Sequence, residues 1–264
     1  MCAEIVQCRT ALSPSRLPGL DWALNPYRGC RHACAYCYAQ DVTHFRTDIP
    51  WGAVVEVKAN IARVLRRELA RRRYDGVCGI GTVTDPYQPA EREYQLTRGC
   101  LSELKRKDIR ISILTKSDLV LRDLDSLVHW SGAEVGMTVS CIDDRIASIL
   151  EPGAPPPSVR MDALSRLVAE GIDVYMMLAP VIPGISDSED LLVRAVDAAS
   201  AAGVGRIMWD GFNPRPLAID RVSKVSSLHD LGMDVSARWN HQDAVRAILS
   251  RECADRGVGL LDAF

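Results

Sequence analysis

This sequence predicts an α/β fold built on a parallel sheet, and three observations carry the prediction. Short apolar runs alternate with helix-length segments along most of the chain, which is the pattern of βαβ units. The run at residues 77–83 is apolar and contains glycine, as expected of a strand buried on both faces. The runs also close on polar residues: Thr84 and Asp85, Thr115 and Lys116, Thr138 and Ser140. In parallel α/β folds, ligands sit at the C-terminal ends of the strands. Right-handed βαβ units can curl into a full or a partial barrel.

Residues 1–21 read as an N-terminal arm, because residues 9–20 are turn-rich and have no period. Residues 22–27 fit a short first strand, stopped by Arg28 and Gly29, and residues 54–58 are briefly strand-like. Residues 59–73 fit a helix, since Ile61, Val64, Leu65 and Leu69 recur at helical spacing. Its other face carries Arg63, Arg66, Arg67, Arg71, Arg72 and Arg73, either a solvated face or a phosphate-contacting surface. Further strands fit residues 77–83, 109–114, 135–141, 173–178 and 206–209. Helices fit 97–107, 119–130 and 155–170, the last opened by Pro155, Pro156 and Pro157 and stopped by Gly171. Ser186, with Glu189 three residues on, forms a capping box for a helix running to Gly203. Residues 213–237 read as irregular, and Asn240 caps a last helix that Gly257 ends. No repeat or low-complexity linker interrupts the chain. It reads as one domain, with its core at 22–204 and a last strand and C-terminal segment at 205–264.

The 264 residues are 47% hydrophobic and 25% charged, enough for one sizeable core. A formal net charge of −2 gives no global field for nucleic acid, though a local basic patch stays open. No run of about 18 apolar residues occurs, so no membrane span is expected. Residues 1–9 do not form a signal peptide, and nine cysteines without one point to a reducing cytoplasm.

The most informative stretch is Cys30-Arg31-His32-Ala33-Cys34-Ala35-Tyr36-Cys37-Tyr38. Three cysteines at CxxxCxxC spacing can hold three corners of a [4Fe–4S] cube and leave one iron without a protein ligand. A structural zinc site commonly needs two close cysteine pairs, and no second pair occurs. His32 could serve as a fourth ligand, but it crowds a loop already set by Cys30 and Cys34. The remaining cysteines, Cys2, Cys8, Cys78, Cys100, Cys141 and Cys253, read individually as small buried hydrophobes.

This stretch resembles the cluster loop of radical S-adenosylmethionine (SAM) enzymes. The resemblance implies a partial (β/α)6 TIM-type barrel, a [4Fe–4S] cluster and SAM as cofactors, and an electron donor such as flavodoxin or ferredoxin. It also implies reductive cleavage of SAM to a 5′-deoxyadenosyl radical that abstracts hydrogen from a substrate. Tyr36 matches the family position near the adenine. The strand ends suit the rest of SAM: a cation at Lys116, an anion at Asp85, hydroxyls at Thr84, Thr138 and Ser140, and an apolar wall at Val181 and Ile182.

Residues 22–185 are similar to one branch of that family, the spore photoproduct lyase-like proteins. The matching stretches are residues 82–85, Thr115 with Lys116, Glu151-Pro152-Gly153 with the following helix, and Ala179-Pro180. The likeness implies that Lys116 binds the SAM carboxylate, that Thr84 and Asp85 lie at its amine, and that Ser140 lies near the ribose. Tyr36 and Tyr38 fall where the lyase has a tyrosine pair linked to hydrogen transfer. One departure matters. The lyase's hydrogen-donor cysteine would stand at position 82, which is threonine here, and an O–H bond is too strong to quench a carbon radical readily. Cys141, at a neighbouring strand end, could supply a thiol instead. The expected activity is therefore radical SAM chemistry, of lyase or transferase type, on an unidentified small molecule, nucleoside or peptide. Two alternatives stay open. One is DNA repair or RNA modification, drawing on the arginines at 66, 67 and 71–73 and on Arg215 and Arg221. The other is a non-catalytic iron–sulfur protein for electron transfer or sensing.

Overall fold

The computed structural model describes residues 2–232 and 240–263. The chain starts with β1 (Cys2–Val6), β2 (Leu12–Pro14), β3 (Trp22–Leu24) and β4 (Tyr27–Arg28). After the cysteine loop come α1 (Ala39–Thr43), β5 (Val54–Lys58) and α2 (Ile61–Arg71). The stripe Ile61, Val64, Leu65 and Leu69 is the buried face of α2, as the spacing predicts. Next are β6 (Val77–Ile80), the single turn α3 (Glu91–Tyr94), α4 (Leu96–Lys105) and β7 (Arg110–Thr115).

A 3₁₀ helix (Asp118–Asp123) and a one-turn α5 (Leu124–Leu127) stand where residues 119–130 read as one helix. Ser117 caps this segment by accepting from Leu119 N at 3.2 Å, and Asp123 is held by Arg98 and Arg122, which fixes the tighter winding. Then follow β8 (Ala133–Thr138), α6 (Asp144–Leu150), α7 (Pro157–Ala169) and β9 (Asp173–Val181). The C-terminal part holds α8 (Glu189–Ala201), β10 (Arg206–Gly211), α9 (Pro216–His229), α10 (Asn240–Asp255) and β11 (Gly259–Asp262).

The main sheet has the order β11-β10-β9-β8-β7-β6-β3-β2. Every pair from β3 to β11 is parallel, and β2 lies antiparallel on β3. The two edge strands do not pair with each other among the described residues, so the sheet is an open, partial barrel. The six expected strands are β3 and β6 to β10, and β11 extends the sheet at one edge. A small second sheet, β1-β5-β4, takes in part of the N-terminal arm. The main core joins strand residues such as Ile113, Val135 and Met176 to Leu101 of α4, Leu164 of α7 and Val196 of α8.

Several boundaries differ from the sequence reading. Residues 22–27 divide into β3 and β4, which belong to different sheets. The α8 cap is Ser188, which accepts from Leu191 N at 3.4 Å, whereas Ser186 turns back and accepts from Ile182 N at 2.9 Å. The stretch read as irregular contains α9, and its residues 233–237 lie outside the described residues. The expected cap at Asn240 lies outside the described side chains. No helix of the described residues is long and apolar enough to cross a membrane.

Candidate active site

The cysteine loop joins β4 to α1 and is gripped from both sides. Gly29 has φ +78°, and a Cβ there would come within 2.7 Å of the Phe45 ring, so only glycine fits. On the β6 side, Gln88 Oε1 accepts from Arg31 N at 2.9 Å, while Gln88 Nε2 donates to the Gly29 carbonyl at 3.1 Å. On the other side the turn after α6 meets the loop. Ala35 N donates to the Leu150 carbonyl at 2.8 Å, and Gly153 N to the His32 carbonyl at 3.0 Å.

This grip turns Cys30, Cys34 and Cys37 toward one cavity of about 180 Å³ at the C-terminal ends of the strands. None of the three is in a disulfide. Among the described residues, no group of three His, Cys, Asp or Glu side chains converges closely enough to hold a single metal ion. Three thiolates that each bind a different iron of a cubane need not converge on one point. The donor set therefore fits a three-cysteine cluster and does not fit a mononuclear zinc site.

Asp85, after β6, is a hub. Its Oδ1 accepts from Thr115 Oγ1 and Tyr87 N at 2.7 and 2.8 Å, and its Oδ2 accepts from Lys116 N at 2.7 Å. Burial acts to raise its pKa, but His32 and these donors outweigh it and bring it down to about 2. His32 Nδ1 is buried 3.3 Å from Asp85 Oδ2, close enough for an ion pair but without a hydrogen-bond partner among the described residues. Thr84 lines the cavity, but its hydroxyl donates to the Gly29 carbonyl at 2.7 Å. The side chains of Thr84 and Asp85 thus hold the loop and the β7 end in place.

Lys116 lines the cavity with its ammonium 5.5 Å from the centre of the Tyr36 ring. It makes no ion pair within the described structure. Burial opposes its charge, yet Cys34 and Glu151 nearby keep its pKa above the ordinary lysine value. It stands as a cation available to a ligand. Tyr36 presents its ring to the cavity and donates its hydroxyl to Glu151. Ser140 donates to the same Glu151 oxygen at 2.7 Å, and Arg160 pairs with the other. Ser140 is therefore tied up behind the cavity wall and does not line it.

Thr138 lines the cavity, and its carbonyl accepts from Arg160 Nη1 at 3.0 Å. Tyr38 also lines it and donates to the Thr82 carbonyl at 2.8 Å. Burial pushes the Tyr38 phenol up to about 12, with Cys37 and Asp210 adding to the shift. The apolar wall at the end of β9 is Ala179 and Pro180. Val181 and Ile182 are fully buried behind it. Cys141 is buried off the cavity, and burial pushes its thiol up to about 11.

The sequence reading assigned no role to Glu151 or Arg160, and it set Arg221 on a nucleic-acid surface, whereas its guanidinium is bonded to the cysteine loop. Glu151 lay in a matching stretch, but only the fold shows that it meets Tyr36, Ser140 and Arg160 at once. Gly211, the last residue of β10, and Asn213 just beyond it also line the cavity. The arginine face of α2 is exposed along the helix, and Arg71, Arg72 and Arg73 lie at the opposite end of the sheet, beside the starts of β6 and β7. Arg66 pairs with Glu103 at 2.6 Å, Arg73 with Asp75 at 2.6 Å, and Arg72 stacks on Trp22 and Tyr74.

Comparison with known proteins agrees with this geometry. The model of the radical SAM superfamily matches residues 24–196. An uncharacterised protein of Methanocaldococcus jannaschii is 34% identical over 187 residues, covering 71% of this chain and 70% of that one. An uncharacterised protein of Mycobacterium tuberculosis is 36% identical over 214 residues, covering 75% of this chain. This chain spans 62% of that relative's length. Spore photoproduct lyase, in a structure complexed with dinucleoside spore photoproduct, superposes with a TM-score of 0.75 at 14% identity. That match covers 99% of this chain and 82% of the lyase chain. The chain belongs to the radical SAM superfamily, and it shares the fold of spore photoproduct lyase. Its cofactors are a [4Fe–4S] cluster and SAM, and its chemistry is SAM-dependent radical chemistry.

Proposed function

We propose that this chain is an enzyme that holds its cluster at Cys30, Cys34 and Cys37, binds SAM in the adjoining cavity and removes a hydrogen atom from a substrate. One observation carries the reading: three unpaired thiols and an unpaired lysine face a single cavity at the strand ends. A [4Fe–4S] cluster held by Cys30, Cys34 and Cys37 would supply the electron for reductive cleavage of SAM.

The chain's own residues do the rest. Lys116 pairs with the SAM carboxylate as a point charge. Asp85 positions that lysine through its backbone N–H. Tyr36, locked by Glu151, and the Ala179–Pro180 wall offer faces to the adenine, with Val181 and Ile182 packed behind. Thr138 offers a hydroxyl to the ribose. Tyr38 closes the substrate side beside Thr82. A one-electron donor of the flavodoxin or ferredoxin type supplies the reducing equivalent, and the substrate is a small molecule, nucleoside or peptide.

Neither alternative draws support from the cavity. A bare electron carrier has no use for a lysine and polar strand ends beside its cluster. Thymine-dimer repair through a protein thiol needs a donor on the cavity, and its cysteines are the three of the loop. The arginines of α2 face away from it, and Arg221 is engaged inside.

Two variants test the proposal. Alanine at Cys30, Cys34 or Cys37 should abolish the iron–sulfur absorbance of reconstituted protein. Lys116→Ala should keep that absorbance and weaken SAM binding about tenfold to a hundredfold, the worth of a charge-assisted contact. Unchanged SAM affinity in K116A would remove Lys116 from the site.

A further inference from the structure

Arg221 lies on α9, in the C-terminal segment, and its guanidinium reaches back to the cysteine loop. Nε donates to the Ala35 carbonyl at 3.0 Å, Nη1 to Gln40 Oε1 at 2.7 Å, and Nη2 to the carbonyl of Cys37. Gln40 passes the contact on, donating to the carbonyls of Arg46 and Ile49 at 3.0 and 3.2 Å. The helix is docked by other means as well. Leu217 N donates to Asp41 Oδ1 at 3.0 Å, and Val222 packs with Cys34, Ala35 and Tyr36.

This is an unusual use for an arginine. Its three acceptors among the described residues are neutral, so no described carboxylate is hydrogen-bonded to it where it meets the loop. Among the described residues, Asp41 and Asp220 act on its charge without being hydrogen-bond partners. A planar fork reaches three fixed acceptors at once, and a lysine ammonium would carry the same charge to the loop with fewer of them. The result is a fixed positive charge at the backbone of the third cysteine. Reduction adds a negative charge to a cluster, and cluster potentials follow net charge, hydrogen bonding and solvent exposure. A cation in the second shell favours the reduced form.

We propose that Arg221 is a positioning residue that sets the cluster's reduction potential, so that the C-terminal segment is part of the redox site. The proposal rests on the assignment of the cluster to Cys30, Cys34 and Cys37. The two fail differently: the cysteine variants lose iron, whereas an arginine variant keeps iron and shifts its potential.

The test is a redox titration followed by electron paramagnetic resonance, on anaerobically reconstituted full-length chain without SAM. Wild type is compared with R221Q and R221K, with iron and sulfide counted per chain and folding checked by circular dichroism. The expected result is a more negative midpoint in R221Q and restoration of the wild-type midpoint in R221K, which keeps the charge. A wild-type midpoint in R221Q overturns the proposal, and so does a shift that R221K does not reverse. If R221Q fails to hold iron, R221K decides. Full loading at the wild-type midpoint supports the role of the charge, and loss of loading in folded R221K overturns it.

Discussion

Glu151 is the residue on which the back wall of the cavity depends. It is fully buried, and it accepts from Tyr36, Ser140 and Arg160 together. Burial alone would raise its pKa, but Arg160 and Lys116 outweigh that and lower it. Glu151→Gln removes the charge and leaves Arg160 buried without its partner. Breaking a buried pair in this way costs about 3–5 kcal/mol. Urea unfolding of the cluster-free protein should therefore show a much lower midpoint for E151Q, and an unchanged midpoint would deny the pair its structural role. Asp85 makes a pH prediction. Its folded pKa of about 2 lies below the ordinary 3.8. Its contribution to stability is thus complete above pH 3.8 and is lost as pH falls through about 2. Stability of D85N minus that of wild type should narrow over that window. A constant difference would show that Asp85 does not titrate as the geometry requires.

At the level of elements, the turn between α6 and α7 matters as much as the cysteine loop it grips. A Cβ on Gly153 would lie 2.0 Å from the Arg31 carbonyl, which is backbone and cannot swing aside. Gly153→Ala should push the loop away and lower iron bound per chain, while leaving the distant α2–α4 packing intact. Full iron loading in G153A would show that the loop tolerates the displacement. The same elements show what the sequence could reveal. The α2 stripe was legible because burial repeats at helical spacing, and the apolar runs of β6, β7 and β9 because those strands are buried along most of their length. Helix α9 was not, because its buried stripe is only Ala218, Val222 and Ser226, two of them small, and Asn213, Pro214 and Pro216 read as turn punctuation. Strand β11 is four residues long, mostly exposed, and follows directly on a helix stop. The cysteines and Lys116 were legible from motif and position. The contacts of Glu151 with Tyr36 and of Arg221 with Cys37 were not, because those partners lie 115 and 184 positions away in sequence.

In the whole molecule, the two ends of the open barrel differ in kind. One end gathers the cysteine loop, Lys116 and the Tyr36–Glu151–Arg160 cluster around a cavity, with α9 behind the loop. The other carries Arg71, Arg72 and Arg73 beside the starts of β6 and β7. The proposed chemistry belongs to the first end, where Thr82 holds the position that the resemblance to the lyase gives to a thiol. The most direct measurement is the 5′-deoxyadenosine formed after anaerobic reconstitution with iron and sulfide, then addition of SAM and dithionite. The wild-type chain should produce it, and C34A treated identically should produce none. Equal amounts from both, or none from a fully loaded wild-type chain, would contradict the account.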